Sequence, residues 1–95
     1  MITKDLRKNP KYLAYIRTLP CVICGCKAVP HHEAFGTGGM RLKGPDTWTI
    51  PLCLGCHKER TDSSRDRFWN GRNKDPKLII LELMTRYIHM KREAI

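Results

Sequence analysis

Cys21-Val22-Ile23-Cys24, His31-His32 and Cys53-Leu54-Gly55-Cys56-His57 form one interlocked series, two Cys-x-x-Cys pairs with histidines between and directly after them. Two cysteines three positions apart can both point into one tight turn and bind a tetrahedral ion. Two such turns complete a four-thiolate site with zinc–sulfur bonds of roughly 2.3 Å. Cys21, Cys24, Cys53 and Cys56 are therefore expected to share one structural Zn²⁺. The fifth cysteine, Cys26, forms only a Cys24-Gly25-Cys26 spacing, a poorer chelate, and is read as a spare thiol. With the thiolates assigned to one ion, the histidines are left for a second task.

The size of the chain makes such an ion useful. Ninety-five residues form one domain, near the length at which a hydrophobic core alone gives marginal stability and a structural metal is a common remedy. The N-terminal stretch Met1 to Lys8 is charged from the start and lacks the apolar core of a signal peptide. No apolar run is long enough to span a bilayer. A cytoplasmic, reducing location is expected, and paired cysteines there read as metal ligands before disulfides. The formal net charge is +9, from 18 Lys+Arg against 9 Asp+Glu. Four thiolates around a divalent ion reduce that charge without reversing it, so a polyanion is the expected partner, and the absence of a lipid-anchor motif favours nucleic acid over membrane.

Working outward from the cysteines, Asn9-Pro10 reads as an N-cap with proline at the first helical position. The helix should run to about Thr18, place Tyr12, Leu13, Ile16 and Leu19 on one side, and be closed by Pro20. Lys27 to Glu33 can form a short strand, which Pro30 restricts to an edge or a bulge. A glycine-rich loop follows from Phe35 to Asp46, then a second strand from Trp48 to Leu52. A helix is expected from about Leu54 to Cys56 onward, carrying His57, Lys58, Arg60 and Thr61. Asp75-Pro76 repeats the cap-plus-proline signal for a last helix of about 76–93. Its Ile79, Ile80, Leu83, Met84, Tyr87, Ile88 and Met90 cover a wide apolar arc, expected to pack on the first helix and the first knuckle.

His31 and His32 are adjacent on a strand, so their side chains point to opposite faces unless Pro30 or a bulge re-aims them. His57 sits in the first turn of a helix, whereas His89 on the last helix is an ordinary surface or core residue. The series Leu19-Pro20-Cys21-x-x-Cys24-Gly25, His31-His32, the glycine-rich loop, and Thr49-Ile50-Pro51-Leu52-Cys53-x-x-Cys56-His57 resembles the HNH (ββα-metal) endonucleases. It is most similar to the Ref-like recombination-enhancement nucleases of phages and prophages, over about residues 19–62. The resemblance implies a small α+β fold, with a zinc-stabilised, treble-clef-like ββα-metal core flanked by N- and C-terminal helices. It implies that His31 and His57 hold a catalytic Mg²⁺ or another divalent cation, and that His32 is the general base. A neutral imidazole accepts a proton near neutral pH while the ion neutralises charge on the phosphate. The chain departs from the family pattern at two places. Trp48 stands at the family's middle asparagine, with Asp46 the nearest polar candidate for its bracing role. Thr61 stands where several members carry a further ligand, with Asp62 beside it.

Around these positions Arg41, Lys43, Lys58, Arg60 and Arg65 are the expected contacts to the DNA backbone, with Arg67, Arg72 and Lys74 beyond them. Phe68 and Trp69 are expected to pack beneath the knuckle rather than stack on bases. The expected function is hydrolysis of DNA phosphodiesters in phage or prophage recombination or DNA processing. The alternative is a non-catalytic zinc module that binds nucleic acid or a protein. Strandedness, sequence specificity, a recombinase partner, and monomer versus dimer are left open.

Overall fold

The structure, a computed structural model, describes residues 8–34 and 44–93. Its elements are helix α1 (Pro10–Arg17), strands β1 (Val29–His32) and β2 (Thr49–Leu52), and helices α2 (Leu54–Asp62), α3 (Arg65–Gly71) and α4 (Pro76–Glu93). It is a small α+β fold with one two-stranded antiparallel sheet.

α1 begins where its cap chemistry requires. The Asn9 side chain accepts from the Tyr12 N–H at 3.1 Å, which satisfies one of the donors a helix start leaves without a partner. The helix stops at Arg17, and Pro20 pairs with Lys27 across the first knuckle. Inside that knuckle Cys21 N–H donates to the Cys26 carbonyl at 2.8 Å and Gly25 N–H to the Cys21 carbonyl at 2.9 Å. Gly25 holds φ +77°, the left-handed region that a side chain disfavours.

β1 and β2 pair in continuous register, Val29 with Leu52, Pro30 with Pro51, His31 with Ile50 and His32 with Thr49. Pro30 thus needs no bulge. Facing Pro51 it occupies a non-hydrogen-bonded pair, where the missing N–H would have pointed away from the partner strand. The outward Pro51 carbonyl is used by Val22 N–H at 3.1 Å, tying the first knuckle to β2. Trp48 lies just before β2 rather than in it, although its carbonyl still accepts from Glu33 N–H at 2.9 Å. Where the loop returns, Gly44 passes so close to Glu33 that a Cβ there would sit 2.0 Å from the Glu33 carbonyl oxygen.

All four residues of β2 are buried, because helices cover the hairpin from both sides. Cys21, Ala28, Ile50, Leu52, Phe68, Trp69 and Ile80 form the larger core cluster, and Tyr12, Ile16 and Leu83 a second one. α4 joins the two, with Ile79 and Met84 packed on both. The apolar arc expected for α4 is correct through Tyr87, whose ring meets Tyr12 and Tyr15 with centroids 4.9 and 5.1 Å away. It fails beyond. Ile88 and Met90 are 54% and 46% exposed, because an 18-residue helix, about 27 Å long, outruns the eight-residue α1 beneath it.

α3 has no counterpart among the expected elements. Ser64 caps it by accepting from Arg67 N–H at 3.2 Å, and Asp66 lies in its first turn. It carries Phe68 and Trp69 into the core beneath the first knuckle, where the sequence placed their packing. Among the described residues no helix is long and apolar enough to cross a membrane.

Candidate functional site

The four expected cysteines converge. The sulfurs of Cys21, Cys24, Cys53 and Cys56 all lie within 4.8 Å of one another, with Cys24 and Cys53 at 3.4 Å. Ligands on a tetrahedron with zinc–sulfur bonds of roughly 2.3 Å are about 3.8 Å apart, so the cluster has the size a metal ion of that kind needs. Its backbone is arranged for anionic sulfur. Ile23 N–H points at Cys21 Sγ and Cys56 N–H at Cys53 Sγ, each at 3.4 Å. Burial raises the Cys21 thiol, but backbone N–H groups of Cys24, Cys53 and Ile23 outweigh it and bring Cys21 down to about 6. At Cys24 the backbone of Cys26 pulls the thiol down, but hydrogen bonds with the sulfurs of Cys53, Cys21 and Cys26 outweigh it and push it up to about 11. Four sulfurs this close cannot all ionise without a cation among them, which is the electrostatic signature of a metal-binding cluster. Cys26 is exposed and stands outside the cluster.

The cluster fixes the start of α2. Cys53 is the N-cap, and its carbonyl accepts the His57 N–H at 2.8 Å. This sets His57 in the first turn, facing β1. Its ring meets the His31 ring edge-on, with centroids 4.9 Å apart. Burial and the neighbouring His31 and Arg60 lower the His57 pKa, so the neutral imidazole is the favoured form.

Regular alternation along β1 sends His31 and Glu33 to this side of the hairpin and His32 to the other. Glu33 was not singled out in the sequence, yet it organises the site. It is 1% exposed. Arg60 grips it with two hydrogen bonds, Nε to Oε2 and a terminal nitrogen to Oε1, both 2.7 Å, and Trp69 Nε1–H donates to Oε2 at 2.8 Å. Burial alone would raise its pKa. His31, Arg60 and Trp69 reverse that and hold the carboxyl at about 2, against an ordinary 4.5. His31 Nε2 lies 3.2 Å from Oε2 but off the direction of a hydrogen bond. The nitrogen is buried, in a side chain 6% exposed, with no directed partner among the described residues.

On the opposite side His32 Nε2 meets Asp46 Oδ1 at 2.9 Å. Asp46 Oδ2 accepts the Asn9 N–H at 2.7 Å, and its carbonyl accepts the Thr49 hydroxyl at 2.8 Å. Asp46 thus makes three directed contacts, to the N-cap residue of α1, to β1 and to β2.

The remaining expected residues divide. Thr61 donates its hydroxyl to the Lys58 carbonyl at 2.9 Å, and Asp62 pairs with Lys58 at 3.0 Å, all on the exposed face of α2. Among the described residues the four cysteines are the one group of three or more His, Cys, Asp or Glu close enough to hold an ion, so Asp62 does not complete a trio with His31 and His57. Arg60, expected on DNA, is instead committed to Glu33, because a buried carboxylate requires a fixed cation. Arg65 donates to the Ala34 carbonyl at 2.6 Å. Arg41 and Lys43 lie outside the described residues.

The chain is similar to an uncharacterized protein, YdfU, of Escherichia coli strain K12, 43% identical over 51 residues. That match spans 52% of this chain and 15% of the relative, so the chain corresponds to a small part of that longer protein. No solved structure gives a significant match. Residues 3–84 match the model of a family described as protein of unknown function, DUF968. That match takes in α1, both knuckles, the hairpin, α2, α3 and the first half of α4, and the chain belongs to the DUF968 family.

Proposed function

We propose that this protein is a metal-dependent endonuclease of the HNH type that hydrolyses DNA phosphodiester bonds, in phage or prophage recombination or DNA processing. The observation that carries the reading is the edge-on pair His31–His57, one imidazole from the first strand of a hairpin and one from the first turn of the helix after it. The order strand, strand, helix, pinned by a four-cysteine cluster, is what a ββα-metal core requires. The buried His31 Nε2 without a directed partner fits a nitrogen reserved for a ligand.

In this reading His31 and His57 hold Mg²⁺ or another divalent cation, which when bound neutralises charge on the scissile phosphate and the leaving oxygen. His32 takes the proton from the attacking water. Glu33, bound to Arg60 and Trp69, anchors the wall behind His31 and is not itself a donor for the ion. Imidazole donors with no carboxylate favour Mn²⁺ or Zn²⁺ over Mg²⁺, so the cations should differ in the activity they support. The net charge of +9 supplies attraction to the DNA backbone that weakens with salt.

A second reading, a zinc-stabilised module that binds nucleic acid without cutting it, draws on one observation. No third His, Cys, Asp or Glu joins His31 and His57 to make an ion-sized group among the described residues. Incubating the wild-type chain with supercoiled plasmid and with single-stranded DNA, in Mg²⁺, Mn²⁺ or EDTA, separates the two. Nicking that needs a divalent ion supports the nuclease. Binding without cleavage in every condition supports the module.

A further inference from the structure

We propose that Asp46 is the positioning residue of His32, holding its imidazole as the Nε2–H tautomer so that Nδ1 carries the lone pair that accepts a proton. The inference rests on the nuclease reading for the purpose of that lone pair, but the pairing itself is a property of the hairpin.

The geometry is directional. A carboxylate can only accept, so the 2.9 Å contact from His32 Nε2 to Asp46 Oδ1 requires the hydrogen on Nε2. Both side chains are mostly withdrawn from water, 18% and 17% exposed, so solvent competes weakly for that bond. Asp46 cannot swing away easily. Its other carboxylate oxygen accepts the Asn9 N–H at 2.7 Å, and its carbonyl holds the Thr49 hydroxyl at 2.8 Å. The Asn9 contact also sets the anion at the N-terminal end of α1, where the helix dipole favours negative charge. Asp46 therefore offers His32 a fixed, charged acceptor. Such a partner does two things for a base: it orients the ring, and it stabilises the imidazolium that forms when the proton arrives.

A purely structural tie between α1 and the hairpin would use the same Asn9 and Thr49 contacts but would leave the His32 tautomer and the catalytic step untouched. The test uses that difference. Ring nitrogen NMR of the zinc-bound wild type should show His32 with its hydrogen on Nε2. Asp46→Asn has one oxygen for two donors, the Asn9 N–H and the His32 Nε2–H, so it should hold the tautomer less strictly than the wild type. Asp46→Ala should release it to a mixture. In plasmid nicking, Asp46→Ala should lower kcat about 10–100-fold with KM within about twofold, and Asp46→Asn should fall between it and the wild type. A wild-type His32 found with its hydrogen on Nδ1 overturns the proposal even if Asp46→Ala does not fold. So does a folded, zinc-replete Asp46→Ala with unchanged tautomer, or with kcat equal to wild type. Absence of nicking by the wild type would instead remove the nuclease reading, and the NMR result would still decide the pairing.

Discussion

Arg60→Ala should be among the most damaging single changes in this protein, although the residue looks like one of many surface cations in the sequence. It removes both 2.7 Å hydrogen bonds that Arg60 gives Glu33 and leaves a carboxylate 1% exposed with only Trp69 donating in a good direction. Two routes give the magnitude. Breaking a buried ion pair by removing one partner costs about 3–5 kcal/mol. Separately, the Glu33 carboxyl is held at about 2 against an ordinary 4.5, a net of burial against His31, Arg60 and Trp69 that at about 1.4 kcal/mol per pH unit corresponds to about 3 kcal/mol favouring the anion, of which Arg60 supplies a share. The sign follows from the depressed value. This stabilisation is complete above pH 4.5 and is lost as pH falls through about 2, so all of it is present at neutral pH. For a chain of this length each kcal/mol moves Tm by about 4–8 °C, and the expected drop is roughly 12–40 °C. Thermal unfolding of zinc-bound protein near neutral pH reads it directly. Glu33→Gln in the Arg60→Ala background removes the stranded charge, so the double variant should regain about 1 kcal/mol or more. An Arg60→Ala variant within about 1 kcal/mol of wild type, or a double variant no better than the single, would refute the argument that Arg60 is spent on Glu33.

Trp69→Phe deletes the Nε1–H bond to Glu33 and should cost about 1–3 kcal/mol in chemical denaturation while the zinc content stays unchanged. Cys24→Ser and Cys56→Ser should each release the thiolate-bound metal, read by elemental analysis. Cys26→Ser should retain one equivalent, since its sulfur is outside the cluster. Loss of zinc from the Cys26 variant would show that the ligand set is wrong.

Much of the scaffold is legible in local chemistry. The cap-plus-proline pairs Asn9-Pro10 and Asp75-Pro76 announce α1 and α4 because a helix start has donors to satisfy and one position that tolerates proline. The two Cys-x-x-Cys pairs announce the thiol cluster because their spacing is the geometry of a chelate. α3 is hidden because seven residues are too few for a helical period to show, and its one signal, Ser64 followed by Asp66, resembles any polar turn. Glu33 is hidden for a different reason. Its partners Arg60 and Trp69 are 27 and 36 residues away, and nothing local distinguishes a carboxylate that will be buried from one that will face water. The histidines stand between these cases. Alternation gives the opposite faces of His31 and His32, but only the fold brings His57 against one and Asp46 against the other.

The central claim is that His32 performs chemistry in a site whose metal is held by His31 and His57. Plasmid nicking by His32→Ala, compared with wild type at equal zinc content and in the same divalent cation, tests it most directly. A general base contributes about 10²–10⁴-fold, so the variant should bind DNA as before and nick it at least about a hundredfold more slowly. Nicking by His32→Ala at the wild-type rate would contradict the account.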